Sequence, residues 1–225
     1  MAVSAENDDR LGAVVRRATL EGAPVFEVTK LELEALTQGA VHQGVAMEIA
    51  AYDYADALEL LDRVSATGRK PLFVALDQVT DPHNLGAVLR SAGAFGADGV
   101  IIPQRRSADV NATVWKVSAG AAARVPVAKE TNLVRTLEAF KARGCFVVGL
   151  DGNGSVSVDN LNLADQPLVL VTGAEGKGLS RLVRETCDEI ASISIRAAVE
   201  SLNAAVATGI ALYEVDRVRR TTQGD

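Results

Sequence analysis

The chain has 225 residues, 48% hydrophobic, 23% charged and only 4% aromatic, the balance of a globular protein whose core packs helices closely on sheet. No apolar run reaches the roughly 18 to 20 residues of a membrane span, and the polar, acidic Met1 to Arg10 is unlike a signal peptide, so the cytosol is the expected compartment. A net charge of −6 argues against a surface basic all over, the usual partner of phosphate, yet Arg105, Arg106, Lys116 and Arg124 stand in one stretch and leave room for a local basic groove.

Asp8 to Leu20 reads as a helix and Pro24 to Val28 as a short strand. Thr29 with Glu32 three residues on is a capping-box pattern that opens a short helix. Gly44 to Ala50 alternates as a strand, and Tyr52 to Lys70 is predicted as an amphipathic helix with Ala55, Leu58, Leu61 and Ser65 on one face. Gly68-Arg69-Lys70-Pro71 then breaks the chain near a domain boundary.

Beyond it the pattern is regular. Leu72 to Leu76 is an apolar strand, Asp77 to His83 a loop, Asn84 to Phe95 a helix and Gly99 to Ile102 a strand. Asn111 is expected to cap a helix to Val117, and Thr131 another to Arg143. Cys145 to Leu150, Pro167 to Thr172 and Ile190 to Ile195 are three more apolar strands, and a helix from about Ser201 to Arg219 closes the chain. Buried strands alternating with helices predict an α/β fold, its sheet mostly parallel with helices on both faces. Ligands in such sheets bind at the carboxyl ends of strands, here the loops after Leu76, Leu150, Thr172 and Ile195. Cys145 and Cys187 stand far apart and read as buried apolar residues rather than a disulfide or metal site. With His42 and His83 the only histidines, no metal is expected.

Three polar segments carry the chemistry. The first runs from Asp77 to Arg90, with Asn84 near the start of its helix and Gly86 one turn before Arg90. Glycine inside a helix costs about 1 kcal/mol relative to alanine, so something is expected to approach closely there. The second, Val171-Thr172-Gly173-Ala174-Glu175-Gly176-Lys177-Gly178-Leu179-Ser180, leads from a buried strand to a helix. Its spacing fails the phosphate-loop pattern, which disfavours a nucleotide triphosphate, and Glu175 reads as a hydrogen-bond acceptor. In the third, Glu200 to Ala207, Ser201 is expected to cap the last helix and Asn203 to lie in its first turn. A serine nucleophile is disfavoured, since neither histidine has reason to be adjacent.

In this order the segments resemble the three signature motifs of the SpoU (TrmH) family of SPOUT RNA methyltransferases: Asn84-x-Gly86-x-x-x-Arg90, Gly173-x-Glu175-Gly176-x-Gly178 and Ser201-Leu202-Asn203. The likeness runs from about Pro71 to Arg219, including Lys116-Val117-Ser118-Ala119-Gly120-Ala121, and is nearest the enzymes that methylate guanosine in 23S rRNA. It departs at Ser194, where proline is common in the family.

The resemblance implies S-adenosylmethionine-dependent methylation of a ribose 2′-hydroxyl in RNA by a homodimer with its active site at the subunit interface. It implies a C-terminal trefoil knot, which general rules of chain topology would not suggest. By motif position it makes Asn84, Arg90, Glu175, Ser201 and Asn203 the catalytic set and puts Leu150, Gly173, Ile193 and Leu202 against the cofactor, with no metal. Arg90 is the family's proposed base; because a guanidinium gives up its proton so reluctantly, it is better suited to orient the hydroxyl and stabilise the developing alkoxide. The implied domains are a partial ribosomal-protein-like RNA-binding domain at 1–50, of which only the second half, Asp8 to Ile49, is present, a linker helix at 51–70 and a catalytic domain at 71–225. A tRNA ribose methyltransferase is the nearest alternative. A non-catalytic RNA-binding protein is the other, against which the complete polar set argues.

Overall fold

The computed structural model describes residues 1–4, 9–196 and 201–222. Asp8, expected to open the first helix, and Glu200 of the third polar segment lie outside them. The chain divides into two compact units, Met1–Ala51 and Tyr52–Asp225.

The first unit holds β1 (Ala2–Ser4), α1 (Asp9–Leu20), β2 (Phe26–Val28), α2 (Lys30–Leu36) and β3 (Val45–Ala46). Its sheet has the order β2-β1-β3, parallel on one side of β1 and antiparallel on the other. β1 was not anticipated, three residues being too short to show a period. The strand expected over Gly44 to Ala50 is two residues long, Ala46 pairing with Ala2 and Val45 with Val3. The capping box forms: Glu32 N donates to Thr29 Oγ1 at 3.2 Å and Thr29 N to Glu32 Oε2 at 2.8 Å. These bonds from Thr29 hold the Glu32 carboxyl below its ordinary range.

The second unit begins with an extended strip, Tyr52–Ala55, rather than with the helix expected from Tyr52. Ala55 N donates to Val127 O at 3.0 Å, while the hydroxyls of Tyr52 and Tyr54 accept from Val127 N and Val110 N. The strip covers a sheet edge that would otherwise present unpaired backbone groups. Only then does α3 (Ala57–Ser65) start, capped by Asp56, whose Oδ1 accepts from Leu58 N and Glu59 N.

There follow β4 (Leu72–Asp77), α4 (Pro82–Ala94), β5 (Gly99–Pro103), α5 (Ala112–Val117), β6 (Val127–Glu130), α6 (Leu133–Ala142), β7 (Phe146–Leu150), β8 (Val156–Ser157), β9 (Leu168–Gly173), α7 (Arg181–Thr186), β10 (Glu189–Ser192) and α8 (Ala204–Thr222). The seven strands form one parallel sheet in the order β6-β5-β4-β9-β7-β10-β8. β9 fills the slot between β4 and β7, and β10 the slot between β7 and β8, so later strands sit between earlier ones.

β4 is buried along its whole length because it is covered on both faces. Leu72, Val74 and Leu76 belong to the layer under α4, α5 and α8, whereas Phe73 and Ala75 face the layer of α3, α6 and α7. Phe73 meets Phe140 of α6 edge-on at 5.1 Å between ring centres. Each large side chain so buried contributes about 1.5–3 kcal/mol, so these two layers hold the strand ends that carry the site.

Three expected caps move by one to three residues. Asp81 caps α4, its Oδ1 accepting from His83 N at 2.9 Å, with Pro82 in the first turn where a missing N–H costs nothing. Asn132, not Thr131, caps α6. α8 starts at Ala204, and its cap is Asn203 rather than Ser201: Asn203 Oδ1 accepts from Ala205 N at 2.9 Å and Val206 N at 3.2 Å.

Candidate active site

Relieved of capping α4, Asn84 is 6% exposed and turns its amide toward the loop after β9. Its Nδ2 donates to Glu175 Oε1 at 3.1 Å. Asn203 Nδ2 donates to Asn84 Oδ1 at 2.8 Å and to the same Glu175 oxygen at 2.5 Å. One carboxylate oxygen thus takes two amide donors, and the three side chains close a triangle whose members come from all three polar segments. Charge-assisted bonds of this kind are about twice as strong as neutral ones.

The loop bearing Glu175 is a tight hairpin. Ala174 and Gly178 exchange backbone bonds of 3.1 and 2.8 Å. Gly176 and Gly178 have φ of 72° and 64°, conformations that glycine adopts without strain. Gly173 is required for a different reason: a Cβ there would lie 2.2 Å from the carbonyl of Gly178.

Beside the triangle opens a cavity of about 680 Å³, within the usual size range for small-molecule sites. It is lined by the ends of β7, β9 and β10 and by the start of α8. Leu150, Gly173, Glu175, Ile193, Ser201, Leu202 and Asn203 all line it. Arg90 does not. Six residues on from Asn84 in a 3.6-residue helix, it points about 240° round α4 and is exposed. The close approach expected at Gly86 comes from within the fold: a Cβ there would lie 2.7 Å from Val117 Cβ at the end of α5.

A second, apolar groove of about 430 Å³ runs between α4 and α8 over Ala87, Ser91, Phe95, Ile210 and Tyr213. Asn203 belongs to both hollows, so the groove abuts the site. Among the described residues no group of three His, Cys, Asp or Glu side chains could hold a metal ion, and no helix is long and apolar enough to cross a membrane. Cys145 is buried and Cys187 half-buried, both are free, and burial pushes both thiols up to about 11.

The sequence model of the SpoU rRNA methylase family matches residues 71–213. The chain belongs to that family. A second family model, RNA 2′-O ribose methyltransferase substrate binding, matches residues 1–55. A relative in Mycobacterium avium described as an uncharacterized tRNA/rRNA methyltransferase is 51% identical to this SpoU methylase over 221 residues, 98% of this chain and 71% of the relative. The SpoU methyltransferase AviRb from Streptomyces viridochromogenes, solved in complex with AdoMet, superposes with a TM-score of 0.77 at 27% identity, over 98% of this chain and 82% of that one. The A. aeolicus TrmH/SpoU tRNA modifying enzyme does so at 0.61 and 31% identity, over 74% and 86%. The protein is an RNA methyltransferase of the SpoU family.

Two charged wall residues of the SpoU methylase's cavity escaped the sequence reading. Asp151 follows β7 directly, where the strand-end rule pointed; its Oδ2 pairs with Arg184 at 2.7 Å and its Oδ1 accepts from Asn153 N. Lys177 sits at the hairpin tip, inside a quoted segment but with no chemistry that spacing alone would assign.

Proposed function

We propose that this SpoU methylase transfers the methyl group of S-adenosylmethionine to a ribose 2′-hydroxyl of RNA, with a guanosine of 23S rRNA as its target. The observation that carries the reading is the Asn84–Glu175–Asn203 triangle at the rim of a cavity of nucleoside size. The cavity suits the cofactor: Leu150, Ile193 and Leu202 offer apolar walls for a flat base, and the hairpin from Gly173 to Gly178 offers backbone groups no side chain obstructs. When bound, the cofactor supplies a methyl group on a positively charged sulfur. The chain's own task is to hold the hydroxyl in line with that methyl, which can account for much of the rate. Glu175 Oε2 has no hydrogen bond among the described residues and is available to accept from ribose, while Ser201 and Asn203 fix the other side.

Arg90 orients the hydroxyl or an adjacent phosphate and stabilises the forming alkoxide. Because it lies outside its own chain's cavity, it serves the cavity of a second copy, seated in the α4–α8 groove beside Asn203. The homodimer is then a catalytic requirement. Residues 1–50 form an RNA-binding domain and 71–225 the catalytic domain, whose sheet is packed by α3 of the intervening 51–70, with the C-terminal part threaded as a trefoil knot; the insertion of β9 and β10 between earlier strands supports that threading. An RNA substrate supports the cytosol as the compartment.

The test is transfer of labelled methyl from S-adenosylmethionine to undermodified 23S rRNA and tRNA, followed by mapping of the modified nucleotide. Label at a 2′-oxygen of a 23S guanosine is expected. The tRNA reading is favoured by the likeness to the A. aeolicus TrmH/SpoU tRNA modifying enzyme, and label confined to tRNA would establish it instead.

A further inference from the structure

Asp77 is the last residue of β4, 4% exposed, and has no ion pair among the described residues. An isolated buried carboxylate is costly unless hydrogen bonds satisfy it. Its backbone is paired in register with Gly173, where the hairpin leaves the sheet. Its side-chain Oδ2 accepts from Ser180 N at 2.6 Å, where the hairpin re-enters the fold. One residue therefore grips both stems of the loop that carries Glu175.

Ser180 is the residue before α7, and Asp77 Oδ2 is the acceptor its backbone amide finds. The neighbouring Leu179 is wedged so closely against β7 that a Cβ on Gly149 would lie 2.5 Å from it. Arg184, one turn into α7, pairs with Asp151 at 2.7 Å on the cavity wall. Leu179 and Arg184 thus hold α7 itself, leaving the Asp77 bond to set the hairpin's returning stem. Asp77 does not line the cavity.

We propose that Asp77 is a positioning residue for cofactor binding: its carboxylate holds the Gly173–Ser180 hairpin in the shape that meets S-adenosylmethionine. The inference rests on the reading of the cavity as the S-adenosylmethionine site. It predicts that loss of the bond lowers cofactor affinity while leaving the RNA-binding surfaces unaltered.

Calorimetry with S-adenosylmethionine on the unsubstituted chain, Asp77→Asn and Asp77→Ala tests it, together with melting temperatures and the KM for each substrate. Removing a charged hydrogen bond is expected to weaken cofactor binding about tenfold or more in Asp77→Ala. Asp77→Asn keeps a neutral acceptor of the same shape and falls between; if Asp77→Ala does not fold, it decides alone. The KM for RNA stays unchanged in both. Equal cofactor affinity in the substituted and unsubstituted proteins overturns the role of Asp77, as does a parallel rise of both KM values with a lowered melting temperature. An unsubstituted chain that binds no S-adenosylmethionine overturns the reading of the cavity instead.

Discussion

Asn203 uses both ends of one amide: its oxygen caps α8 and its nitrogen ties Asn84 to Glu175. Replacing an N-cap by alanine ordinarily costs 0.5–2 kcal/mol, but here the site would lose its geometry with the helix start. Arg90 is the contrasting case, exposed and without an ion pair among the described residues, so its removal should leave the fold untouched. Arg90→Ala is expected to bind S-adenosylmethionine normally and to lose about a hundredfold or more in methyl transfer; near-normal turnover would remove Arg90 from the mechanism. The cysteines give a pH prediction. Burial raises both from 9.0 to about 11, so below about pH 9 folded and unfolded chains both hold neutral thiols. Between pH 9 and 11 the unfolded chain ionises first, and stability falls as pH rises. Urea unfolding at pH 8 and pH 10 should show a lower midpoint at the higher pH, with a smaller drop in a Cys145→Ala, Cys187→Ala double variant. An equal drop in both proteins would assign the effect to other groups.

At the scale of elements, α4 is the hinge of the site. Asp81 and Pro82 set its start, which frees Asn84, and Gly86 lets α5 pack against it. Adding a Cβ at Gly86 places it 2.7 Å from Val117 Cβ, inside any normal contact distance. Overpacking of this kind costs about 1–3 kcal/mol, against roughly 1 kcal/mol that alanine returns in helix propensity. Gly86→Ala should therefore melt lower than the unsubstituted protein. A rise in melting temperature for the variant would contradict this packing of α5 on α4. The same logic separates the glycines of the hairpin: Gly173 is needed for room, Gly176 and Gly178 for their backbone angles.

Over the whole molecule, the proposed dimer makes a sharp prediction. If Arg90 serves the partner's cavity, Arg90→Ala and Glu175→Ala are each inactive, but mixed subunits build one complete site per mixed dimer. Random mixing then restores roughly a quarter of full activity, half the dimers being mixed. No recovery on mixing, with subunit exchange verified, would place Arg90 in its own chain's site. Charge also acts at this scale. Many cations are consumed by ion pairs, among them Arg69 with Asp98, Lys129 with Asp109 and Arg143 with Asp62, whereas the exposed Arg105, Arg106 and Arg124 have none among the described residues. Arg105→Gln with Arg106→Gln should lower the slope of log affinity for RNA against log salt by about 0.7–0.9 for each phosphate no longer neutralised. An unchanged slope in filter-binding assays would put the phosphates elsewhere.

The sequence by itself determined what is written in local period and residue type. Strands from Leu72 to Leu76 and Pro167 to Thr172 are apolar runs wherever they lie in the sheet, and the three motifs keep their spacing before any folding. Caps were legible only approximately, because Asp81, Asn132 and Asn203 each stand within three residues of another side chain able to cap. β1 and Tyr52–Ala55 were not legible, since their conformation comes from partners far along the chain. Tertiary structure alone decided which polar residues meet. Asn84, Glu175 and Asn203 are separated by 91, 28 and 119 residues pairwise, and only the strand order brings their elements side by side. It also set Arg90 apart from the others, by helical phase, and made Asp77 a clamp, because a carboxylate's role depends on which amide the fold places 2.6 Å away.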